Sequence, residues 1–141
     1  MLSRPSFSFK RSLWPPPAPA NLNRSIHQGD EFTRISKVLH SQTTNRFHKP
    51  GHDILSTPSM IEFVSASAQD FISERISGAY PTVIKKIECL HKAPLPVGRQ
   101  FEVIGEVIDV DNSSAAFKVI LRDSESKTVV GDTTIEIEAI V

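Results

Sequence analysis

Cysteine is almost missing from this chain: Cys89 is the only one among 141 residues. One thiol closes no intrachain disulfide and supplies no cysteine cluster for a metal, so neither staple is open to the fold. Such usage fits a reducing compartment. Long apolar runs are missing too. No stretch approaches the roughly 18 residues that a transmembrane helix needs. Acids are missing from residues 1–29, which carry Arg4, Lys10, Arg11 and Arg24. A net charge is missing from the whole, with 16 Lys and Arg against 16 Asp and Glu. Residues 30–141 hold 12 of those bases and all of the acids, a net charge of −4. A mildly acidic body argues against a nucleic-acid surface, which needs a basic face. The length suits one domain with a modest core.

What is present begins with a leader. Residues 1–27 are basic, serine-rich and free of acids, and they lack the apolar centre of a secretory signal. That is the composition of an organelle transit peptide, mitochondrial in character. Pro15 to Pro17 stop any helix begun by Phe7, Phe9, Leu13 and Trp14. The competing reading is a disordered, proline-rich extension without an address, which leaves the protein cytoplasmic. In both readings the folded domain is expected to span 28–141.

Within that span, residues 56–77 alone read as a long helix. Thr57 suits an N-cap, and Pro58 follows at the first helical position, where its missing N–H costs nothing. Ile61, Val64, Ala68, Phe71 and Ile72 recur at helical spacing and define one apolar face, with Ser65 at its edge. Gly78 is the expected stop. A first strand is expected over 31–40, with Phe32 out of step with Ile35. Four more are expected as a meander over 80–92, 100–110, 114–123 and 127–141. Pro94 and Pro96 break the first of these from the second. The predicted architecture is α+β, an antiparallel sheet wrapped around one central helix. Open strand edges in such a sheet point to a homodimer or a dimer of dimers. His40, His48 and His52 surround a polar loop over 41–53, but their spacing matches no metal-ligand pattern, and solvated histidines are expected there. No cofactor is implied.

Several segments resemble the hotdog fold and, within it, the fluoroacetyl-CoA thioesterase-like family. They are G-D-E-F at 29–32, L-S-T-P-S-M-I at 55–61, C-L-H-K-A-P-L-P-V-G at 89–98, V-I-D-V-D at 107–111 and G-D-T-T-I-E-I at 131–137. The resemblance spans about 28–141, and the third segment is its most specific part. It implies an acyl-CoA thioester as substrate, with Thr57 and His91 in the positions that act on it. Family members carry an acid eight residues after the threonine. Here that position is Ser65, and Glu62 and Asp70 point elsewhere on the helix.

Three functions are therefore open: thioester hydrolysis, acyl or thioester binding without hydrolysis (as a module or a subunit of an assembly), and a dehydratase-like reaction with His91 as base. Thr57 is equally a cap and a candidate hydroxyl. His91 is a strand-end residue or a site residue. Ser65 is a small filler or a polar pocket residue. Cys89 alternates with His91 and shares its face, and it reads as core rather than nucleophile. Lys85 and Lys86 read as a solvated strand edge rather than a phosphate site.

Overall fold

The computed structural model of the chain describes residues 21–44, 53–76 and 80–140. A short helix α1 (Leu22–Ser25) is followed by β1 (Glu31–Lys37), a 3-10 turn at His40–Gln42 and the long helix α2 (Thr57–Arg75). Then come β2 (Thr82–His91), β3 (Gln100–Val110), β4 (Ser114–Asp123) and β5 (Val129–Ala139). The strands form one antiparallel sheet in the order β1-β3-β4-β5-β2. Its concave face holds α2, so the hotdog arrangement expected from the sequence is the one observed.

The expected four-strand meander needs correcting. Only β3, β4 and β5 are consecutive hairpin neighbours; β2 pairs with β5 and sits at the far edge from β1. The proline-containing connection after His91 therefore crosses the end of the sheet instead of turning back in a hairpin. It is pinned there by Leu55 N–H to Leu95 O and Val97 N–H to Asp53 O, each 2.8 Å. Bonds to a loop replace ladder bonds, which suits a segment whose two prolines lack donors.

The core follows strand alternation. Phe101, Val103 and Val107 of β3, Phe117, Val119 and Leu121 of β4, and Ile135 and Ile137 of β5 are buried on the concave face. The apparent conflict in β1 resolves the same way. Phe32 turns inward and is buried, while Ile35 turns out and is 61% exposed. Phe32 stacks on Phe71 of α2 at 5.1 Å and meets Phe117 edge-on at 6.0 Å. Its ring occupies the space over Gly105, where a Cβ would collide with it.

Two boundaries differ from expectation. Ser56, not Thr57, caps α2: its hydroxyl accepts from Ser59 N–H at 3.2 Å, which puts Thr57 in the first turn. The buried stripe of α2 uses Met60, Val64, Ser65, Ser67, Ala68, Phe71 and Ile72, so Met60 takes the place expected for Ile61. The expected stop at Gly78 lies outside the described residues, as do His48, His52 and residues 1–20. The segment just before residue 28 is packed. Leu22 and Ile26 are fully buried, and Leu22 N–H donates to Asn112 O at 2.9 Å. A domain edge at 27/28 would leave this packed strap outside the domain.

Candidate functional site

The site is built where the start of α2 meets the end of β2. Because Ser56 takes the capping bond, the Thr57 side chain is left free to face the sheet. His91 is the last residue of β2 and shares the concave face with Ile87 and Cys89, whose partners on β5 are Ile135 and Thr133. The two meet: Thr57 Oγ1 lies 2.7 Å from His91 Nδ1, a hydrogen bond whose donor depends on the imidazole tautomer. The other ring nitrogen, His91 Nε2, is buried and has no hydrogen-bond partner among the described residues. A buried imidazole nitrogen without a partner is uncommon.

Electrostatics favour negative charge here. A helix N-terminus carries a partial positive charge and unpaired N–H groups. The first turn of α2 contains no acid to cancel it. An oxyanion formed beside Thr57 would therefore be stabilised without a metal ligand set. Among the described residues, no group of three or more His, Cys, Asp or Glu side chains converges.

Ser65 does not join the pair. It lies eight residues on, about 12 Å further along the helix axis, and is 8% exposed. Among the described residues no hydrogen bond links it to Thr57 or His91. Cys89 is engaged elsewhere: its sulfur accepts from the buried Thr133 hydroxyl at 3.4 Å. Lys85 and Lys86 each face a carboxylate, Glu138 at 3.7 Å and Glu88 at 3.6 Å. A cavity of about 350 Å³ between the β2–β3 connection and the β4–β5 turn is lined by Arg99, Asp123, Ser124 and Glu125. Its one cation is already engaged, since Arg99 holds Asp123 at 2.7 Å and Glu125 at 3.1 Å.

Sequence reasoning missed Ser56 and Met60. Both lie in the Ser-Thr-Pro-Ser-Met run, where two adjacent residues suit a cap and Pro is tolerated at either of the first two helical positions.

Comparison with known proteins gives the following. The family model described as fluoroacetyl-CoA-specific thioesterase matches residues 38–137. No curated protein sequence matches. Solved structures do. A fluoroacetyl-CoA-specific thioesterase point mutant in complex with fluoroacetate and CoA is 18% identical, covering 82% of this chain and 95% of that one, with a TM-score of 0.71. A hot-dog-like protein from Thermanaerovibrio acidaminovorans is 18% identical over 85% of this chain and 87% of that one, with a TM-score of 0.74. A thioesterase superfamily member from Thermus thermophilus is 20% identical over 83% and 85%, with a TM-score of 0.71.

Proposed function

The chain belongs to the fluoroacetyl-CoA-specific thioesterase family, and from that premise we propose that it binds an acyl-CoA thioester at the Thr57–His91 pair and hydrolyses it to the free acid and CoA. The observation that carries this reading is the 2.7 Å contact between Thr57 Oγ1 and His91 Nδ1 at an uncancelled helix N-terminus. In the proposed reaction His91 takes the Thr57 proton as Oγ1 bonds to the acyl carbon. The N-terminal turn stabilises the oxyanion. The C–S bond then breaks, and the thiolate leaves with the proton held by His91. Water activated by the same imidazole releases the acid and restores Thr57. No cofactor enters.

A second reading, acyl-CoA binding without turnover, is favoured by serine at the acid position. Loss of a general acid–base partner is worth about 10²–10⁴ in rate. Incubating the full chain with a panel of acyl-CoAs and following free thiol separates the two. Release above background supports hydrolysis. No release with tight binding supports the second reading, and new release from Ser65→Glu would then mark a lost hydrolase.

We further propose that the working form is a homodimer joined through β2. Among the described residues that strand is an outer edge with one side unpaired, and it exposes Val83, Ile84 and Leu90. An apolar edge of this kind is unstable alone in water. Pairing with a second copy would also bring another α2 toward the Thr57–His91 pair, which Ser65 of the same chain does not reach. The acid-free leader supports mitochondrial import. A reporter fused to residues 1–27 that stays diffuse in the cytosol would contradict it.

A further inference from the structure

Met60 takes no part in the hydrogen bond between Thr57 and His91, yet it lies on the same helix as Thr57 and against the strand partner of His91. It lies one helical turn after Thr57 and is fully buried. Its thioether sits over Gly131: a Cβ built there would land on Met60 Sδ and lie 3.1 Å from Met60 Cε. Gly131 is the β5 residue directly opposite His91. Its φ is not in the left-handed region, so what glycine supplies here is room for Met60 and not backbone freedom. Met60 is thus framed by Thr57 one turn away on the helix and by the partner of His91 one strand away on the sheet.

A reacting acyl carbon must come within about 3–3.5 Å of the attacking atom. A path for its next few carbons along the seam between α2 and the sheet would run into Met60, which is seated on Gly131. Methionine suits such a place, because its unbranched thioether fills irregular gaps and adapts to what lies beside it. Accepting the acyl-CoA reading above, on which this rests, we propose that Met60 determines acyl length: seated on Gly131, it closes the seam and restricts the site to short acyl groups. Met60 is a specificity residue and touches no reacting atom.

The test reads binding, so it does not depend on turnover. Calorimetry would follow full-length protein with non-hydrolysable thioether analogues of acetyl-, butanoyl-, hexanoyl- and octanoyl-CoA. The wild type is expected to prefer acetyl or butanoyl, with octanoyl weaker by about tenfold or more, the scale on which an apolar pocket senses methylenes. Met60→Ala is expected to move the preference at least one step longer, raising the hexanoyl-to-acetyl affinity ratio about tenfold. Met60→Leu, which conserves volume, should keep the wild-type profile. The double variant Gly131→Ala/Met60→Ala puts a methyl where the thioether sat and should move the profile back toward wild type. A folded Met60→Ala with the wild-type length profile overturns the assignment. Where Met60→Ala does not fold, the same result from Met60→Val overturns it. So does a wild type that binds octanoyl as tightly as acetyl. Absence of binding to every analogue and to CoA itself would remove the acyl-CoA reading, and is thereby told apart from failure of Met60 alone.

Discussion

At the scale of single residues, the site depends on which side chain caps α2. Ser56 satisfies Ser59 N–H, and Thr57 is released to bond His91. Ser56→Ala should cost about 0.5–2 kcal/mol of stability and also slow thiol release, because Thr57 becomes the nearest replacement cap. A thermal melt and the thiol assay together check this; a lower melting temperature with unchanged release would show that Thr57 is held independently. Asp123 governs acid behaviour at the other end of the sheet. Burial pushes its carboxyl up, but the Glu125 N–H, the Arg99 guanidinium and the Ser126 N–H outweigh that and hold it below its ordinary 3.8. A carboxyl depressed by folding contributes stability above its unfolded value and loses it as pH falls through its folded value. Asp123→Asn should therefore be less stable than wild type at neutral pH and show a shallower loss below about pH 4. Glu102 is lowered by its hydrogen bond from Arg122, and Asp111 by the N–H groups of Ser113 and Ser114, so some slope will remain. Of these residues Thr57 and His91 had been singled out as site residues beforehand, through family resemblance; the structure brings their side chains together. Nothing in the spacing of Ser56 and Thr57 decides which of two good caps is used.

At the scale of elements, periodicity carried most of the information. The bounds expected for β3 and β4 are those observed, because both strands alternate cleanly and end in turn residues. The pairing of β2 was not legible. Its burial alternates weakly, as an edge strand's does, and nothing local states that it joins β5 and not β3. The strap at α1 was hidden by composition. Leu22 and Ile26 sit in a basic, proline-rich leader, and two apolar residues make no periodic pattern, yet both are fully buried. Each contributes about 1.5–3 kcal/mol when buried. A chain beginning at Asn21 should melt close to full length, whereas one beginning at Gln28 should melt well below it. Equal melting of the two truncations would show that the strap adds nothing.

At the scale of the whole molecule, the sheet closes round α2 but leaves β2 open at one edge, with Leu90 63% exposed. Sedimentation should find a dimer, and Val83→Lys combined with Leu90→Lys should shift it toward monomer while far-UV circular dichroism stays unchanged. A wild-type monomer at high concentration would contradict pairing through β2. The α+β plan, a sheet around one apolar-faced helix, was legible from element order, whereas the hotdog assignment came from the resemblance carried by the quoted segments. Whether the site turns over was not legible, because Ser65 replaces the acid that the family resemblance leads one to expect. The central claim is that Thr57 and His91 act as one unit on a thioester, and a double-mutant cycle on kcat/KM for thiol release tests it most directly. Groups that act as a unit are strongly non-additive. Thr57→Ala and His91→Ala should each reduce kcat/KM by about 10²-fold or more, and the double variant should be no slower than the worse single one. Independent, multiplying losses, or release that survives both substitutions, would contradict the account.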